Sequence, residues 1–139
     1  MSRWLLVSLA LLLVPGQPDA HKLNRKARVT IVTPADGATV QNPVQLVFET
    51  EKIALAPVGE SPHRAGHAIV LIDAEPPEDL DEPVPMTKGY LHLVAGEDQA
   101  RLTLSPGPHT LQVVVGDEEH TPWGERLFSE QIQIVVVEP

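Results

Sequence analysis

The chain reads as all-β, a single immunoglobulin-like β-sandwich of about seven strands. Three observations point there. Fourteen prolines and nine glycines punctuate short apolar runs. Those runs alternate with period two, which places one set of side chains on a buried face. No segment after the first twenty residues sustains the 3.6-residue periodicity of an amphipathic helix.

Ala27 to Thr33 is the first strand, with Val29 and Ile31 on one face, and Pro34-Ala35-Asp36-Gly37 turns the chain. Pro43 to Thr50 alternates again, with Val44, Leu46 and Phe48 in phase. His67 to Asp73 is almost continuously apolar, the pattern of a strand buried on both faces. Tyr90 to Val94 is a weaker strand, and Gln99 to Leu104 sets Ala100, Leu102 and Leu104 together. Ser105-Pro106-Gly107-Pro108 turns into a sixth strand, His109 to Val115, in which Leu111 and Val113 should face the core. Phe128 to Val137 closes the chain with Ile132, Ile134 and Val136 in phase. Two longer connections remain: Glu51 to Ala65, mixed in character, and Ala74 to Gly89, whose Pro, Asp and Glu content predicts a mobile acidic excursion.

Ahead of the strands, Arg3 precedes an apolar run from Trp4 to Val14, interrupted by Ser8, and Pro15 to Ala20 ends it on a small residue. This order is that of a secretory signal peptide over residues 1–20, and the run is too short to span a bilayer. Residues 21–139 then form one domain, periplasmic or secreted, with no membrane span after cleavage. The net charge of −9 disfavours nucleic acid and anionic lipid surfaces. With no cysteine, thiol catalysis, thiolate metal sites and disulfides are excluded.

The motifs Pro34 to Val40, Pro43-Val44, Phe48, Ala54 to Gly59, Gly66-His67, Leu71-Ile72-Asp73, Pro106-Gly107, His109 to Gln112, Gly116-Asp117, His120 and Pro122 follow one another in order. The set resembles a domain-of-unknown-function family of small, exported, histidine-rich bacterial proteins. In that family the third strand opens Gly-His-His-His-Leu-Leu-Ile-Asp, whereas here Ala68 and Ile69 follow His67. The family's Gly-Asp-His-Asn-His-x-Pro-His stretch is reduced to Gly116, Asp117, His120 and Pro122, with Trp123 at the last histidine. A second resemblance joins His21, Pro34 to Ala38 and Leu46 to Glu49 to periplasmic copper-resistance proteins of the CopC type, which implies copper held through the N-terminal histidine.

In an immunoglobulin-like sandwich, the loops after the second and sixth strands share one end. His63 lies in the first of these loops and His67 just after it, at the start of the third strand, and Asp117, His120 and Trp123 lie in the second. His21 reaches the same end if the tail folds back. These residues (His67, His120, Asp117, His63 and His21) are the candidate metal ligands, with copper or zinc as the ion, because neutral imidazole suits both metals. A free amine on His21 would chelate copper in a square plane if cleavage follows Ala20. The carboxylates Asp117, Glu118 and Glu119 would raise the histidine pKa values and move the loss of metal to higher pH. His109 belongs at the opposite end, where a hydrogen bond to Asp73 would fasten two central strands; the position of His92 is left open.

Catalysis is not expected. Ser61, Ser105 and Ser129 lack a nucleophile-elbow context, and the paired carboxylates Glu78/Asp79 and Glu118/Glu119 lie in polar loops. Two function classes stand side by side: a non-catalytic periplasmic metal-binding domain, and an interaction or assembly module that meets another envelope protein without a metal; a stand-alone structural sandwich and a small-ligand binder make up the third.

Overall fold

A computed structural model of the chain describes residues 24–59 and 65–139. The expected signal peptide, His21 and His63 lie outside those residues. Among the described residues there are nine strands, a single turn of 3-10 helix and no α-helix. The strands are β1 (Arg28–Thr33), β2 (Thr39–Gln41), β3 (Val44–Glu51), β4 (Ala54–Leu55), β5 (Ala65–Ile72), β6 (Tyr90–His92), β7 (Gln99–Leu102), β8 (Gly107–Gly116) and β9 (Ile132–Val137). All seven expected strands are present. The two additions, β2 and β4, are three and two residues long, too short for a period-two signal to register.

Two sheets pack face to face as a β-sandwich. The smaller has the order β1-β3-β7; the larger runs β2-β9-β8-β5-β4, with β6 paired to β5 as well. Alternation fixes which side chains enter the space between them. Val44, Leu46 and Phe48 of β3 meet Ala68 and Val70 of β5, Leu111, Val113 and Val115 of β8, and Ile132, Ile134 and Val136 of β9 in one core. Leu111 and Val113 are fully buried, as the phase of the sixth strand requires. The turn at Pro34 to Gly37 is tied to β9: Asp36 Oδ1 accepts the Gln133 N–H at 2.8 Å, and the Gly37 N–H donates to the Gln133 carbonyl at 2.7 Å. That tie delivers β2 alongside β9 in a parallel pair.

The outer face of the larger sheet is also covered. Ile69 and Leu71 of β5 and Val114 of β8 form a second apolar cluster with Val84, packed against Ala74, Tyr90 and Phe128. Seven of the eight residues of β5 are consequently buried, as its continuous apolar sequence demands. The cover comes from the segment between β5 and β6. The expectation of a mobile excursion over Ala74 to Gly89 is corrected here: Val84 is buried, and the Tyr90 hydroxyl donates to the Glu75 carbonyl at 2.8 Å. Its five carboxylates concealed from sequence reading the one valine that docks it.

Candidate functional site

Cross-strand register sets what stands on that outer face. Directly paired residues of an antiparallel ladder share a face. His92 of β6 pairs with Ile69 of β5, so it stands beside His67, two positions along β5. His67 itself pairs with Gly116 at the end of β8. The third imidazole arrives from the β8–β9 connection. There the His120 N–H donates to the Asp117 carbonyl at 3.0 Å, and the Asp117 N–H donates to the Thr121 carbonyl at 2.9 Å. His120 has a φ of 62°, a left-handed conformation that non-glycine residues adopt rarely and keep only when their surroundings hold them.

The lack of a side chain at Gly116 makes this arrangement possible. A Cβ there would lie 2.9 Å from the Thr121 carbonyl oxygen and 3.0 Å from the His120 carbonyl carbon. The loop can therefore fold back onto the sheet edge only over a glycine.

The result is a row of three imidazoles. The rings of His67 and His120 are 5.4 Å apart between centroids, and those of His92 and His120 are 4.7 Å apart, edge to face. His67 is 1% exposed. The His92 Nε2–H donates to the Pro85 carbonyl at 2.9 Å; a carbonyl only accepts, so the proton sits on Nε2 and the Nδ1 lone pair is left available. His92 Nδ1 and His120 Nε2 are both shielded from solvent and have no hydrogen-bond partner. Burial, then the neighbouring imidazoles of His92 and His67, whose protonated forms would repel an imidazolium, hold the His120 pKa below its usual value, and Asp117 opposes them without prevailing. The expected upward shift of His120 is thus corrected: desolvation and neighbouring imidazoles outweigh the carboxylate.

Of the expected site residues, His67 and His120 come together. Asp117 has a different place: its Oδ1 accepts the Glu119 N–H at 2.9 Å and the Thr121 N–H at 3.0 Å, which braces the turn that carries His120. His92 is the residue that sequence reading missed. Its signal would have been its position opposite Ile69, which depends on a register that no local pattern encodes. Among the described residues, no group of three or more His, Asp or Glu side chains could hold a metal ion as the side chains are placed.

At the other end of the molecule the expected Asp73–His109 bond is present, with Nδ1–H donating to Asp73 Oδ2 at 2.6 Å. The His109 Nε2 lies 2.7 Å from the Ser105 carbonyl, so the doubly protonated ring is the form that satisfies both acceptors. Burial alone would lower the His109 pKa, but the bonds to Asp73 and Ser105 and the charge of Asp73 raise it. Ser105 Oγ lies 3.4 Å from Nε2, which is nearer to the Ser105 carbonyl. Through His109 and the Thr110 N–H, Asp73 ties the end of β5 to β8.

The fold and site define a small β-sandwich with a shielded imidazole cluster on the outer face of its larger sheet. Residues 46–137 match the profile of a domain of unknown function (DUF4399), and the chain belongs to that family. The CopC-type resemblance is not shown by the comparisons. No curated protein matches. Among solved structures, the endo-beta-1,4-mannanase from Thermotoga petrophila is similar at 12% identity with a TM-score of 0.44, over 83% of this chain and 20% of that one. The chain thus spans about a fifth of that structure's length. No helix among the described residues is long and apolar enough to cross a membrane.

Proposed function

We propose that this chain is an exported, non-catalytic immunoglobulin-like domain that binds a borderline divalent metal ion, copper or zinc, through His67, His92 and His120. Export rests on the order of charge, apolar run and small residue over Arg3 to Ala20. The immunoglobulin-like reading is supported by the parallel β2–β9 pair that leads into β8 and β5. The observation that carries the metal site is the pair of shielded, unpartnered ring nitrogens, His92 Nδ1 and His120 Nε2, in adjoining imidazoles.

Geometry and chemistry support this reading. Two imidazoles that share a tetrahedral ion at about 2.0–2.1 Å have ring centres about 5 Å apart. The separations of 5.4 and 4.7 Å bracket that value, and the side chains must move to converge on an ion. The Pro85 carbonyl holding His92 Nε2–H is the outer-shell contact that fixes the tautomer of a metal-binding histidine. A lowered His120 pKa keeps that ligand neutral at pH 7. Imidazole nitrogen donors suit zinc and copper and not the hard cations calcium and magnesium.

Calorimetric titration of Zn(II) and Cu(II) into the protein and into His67→Ala, His92→Ala and His120→Ala tests the site. Binding should be tighter than about 1 μM and fall at least tenfold in each variant. A dissociation constant weaker than about 10 μM, or full affinity after all three substitutions, leaves the interaction-module reading in its place.

A further inference from the structure

We infer that the acidic segment 74–89 is a metal-coupled cover of the imidazole site, so that its docking onto the sheet and occupancy of the site by a divalent cation favour each other. The inference rests on the metal site proposed above and concerns what controls it.

The segment is anchored firmly at its base. The Ile72 N–H donates to the Gly89 carbonyl at 2.8 Å, and the Tyr90 hydroxyl reaches the Glu75 carbonyl. Its middle is held at two adjoining residues, and both holds involve the histidines. The Val84 N–H donates to the His120 carbonyl at 2.9 Å, while the Pro85 carbonyl accepts the His92 Nε2–H. The Val84 side chain, 2% exposed, inserts beside Ile69, Leu71 and Val114 directly below.

Docking is opposed by charge. Glu75, Glu78, Asp79, Asp81 and Glu82 face one lysine, Lys88, within the segment, and they repel one another. An ion that draws His92 and His120 together would fix the carbonyl and the ring N–H to which the middle of the segment bonds. Linkage then runs both ways: a docked segment presents the two imidazoles in the right orientation, and so raises affinity. The donor nitrogens of His92 and His120 are shielded from solvent, so an ion enters or leaves only when an element packed on them, the segment or the turn at Asp117 to Thr121, lifts. Its carboxylates concentrate cations at that entrance.

Hydrogen–deuterium exchange of the intact protein, with Zn(II) or with a chelator, tests this. Zinc should slow exchange over residues 74–89 about tenfold and leave β1, β3 and β7 unchanged. Val84→Ala, which removes no metal-donor atom, should speed that exchange and weaken zinc affinity about fivefold. Should that variant fold poorly, tryptic cleavage at Lys88, the only basic residue of the segment, is followed in the unaltered protein and should slow with zinc. Zinc binding that the three histidine variants abolish, with exchange and cleavage of the segment unchanged, overturns the cover and keeps the metal site. Unaltered affinity in a folded Val84→Ala overturns it as well. Absence of zinc binding overturns both.

Discussion

Gly116→Ala is the sharpest single perturbation of the arrangement, because it adds one carbon where the His120 loop crosses the end of β8. The new Cβ would meet the Thr121 carbonyl oxygen at 2.9 Å, the His120 carbonyl carbon at 3.0 Å and the Thr121 carbonyl carbon at 3.2 Å. Ordinary carbon contacts begin near 3.5 Å, so the loop must retreat by about half an ångström. All three neighbours are backbone, so no side-chain rotation relieves the clash. The loop is also tied at Asp117 and at Val84, which makes retreat costly. Overpacking of this kind costs about 1–3 kcal/mol. In a domain of this size, that lowers the melting temperature by roughly 3–12 °C. Displacement of His120 from its partners should weaken zinc binding at least tenfold, or about 1.4 kcal/mol. Scanning calorimetry reads the first effect and titration the second. A melting temperature unchanged within about 1 °C would refute the steric argument. A lowered melting temperature with full zinc affinity would remove His120 from the ligand set.

Three further outcomes follow from the same structure. Leu111→Ala, at a fully buried position in the core between the sheets, should destabilise the fold by about 2–5 kcal/mol, measured by urea unfolding; a loss under about 1 kcal/mol would contradict its placement. Ser129→Ala should cost about 1–3 kcal/mol without altering zinc affinity, because Ser129 Oγ accepts the buried Val113 N–H at 2.9 Å and alanine leaves that donor without its side-chain partner. The Asp73–His109 pair gives stability a defined pH window. Although burial opposes both shifts, Asp73 is held below its ordinary 3.8 by Thr110 and His109, so its contribution is lost as pH falls through the folded value. His109 is raised above 6.5, so its contribution is complete below 6.5 and is lost as pH rises through the folded value. The wild-type advantage over Asp73→Asn should therefore peak between about pH 4 and 6.5 and stay near 1 kcal/mol, since Asp73 is half exposed; a pH-independent difference would refute the pairing.

The sequence by itself determined the β-sandwich, the phase of its strands and one long-range contact. Alternation reports which side chains point inward, and that is a local property: Val44, Leu46 and Phe48, or Ile132, Ile134 and Val136, declare their face within six residues. The Asp73–His109 bond was legible because the ends of β5 and the start of β8 must meet if the two strands are antiparallel neighbours. His67 and His120 were legible as a pair for the same topological reason. In the sequence Ser129 is only a serine without a nucleophile-elbow context; its use as a backbone partner between β8 and β9 depends on an irregular connection.

Only the tertiary structure decided what lies over the outer face of the larger sheet. His92 joins the site because β6 pairs with β5 at one particular register, and a shift by one residue would turn its ring to the other face. Segment 74–89 looked solvated because charge dominates its composition, yet one buried valine and two hydrogen bonds decide where it rests. Direction along a strand is written in neighbouring residues, whereas register and loop docking depend on energies shared between residues far apart in the chain. Those shared energies, a few contacts set against the repulsion of five carboxylates, are what brought three histidines together beneath the segment.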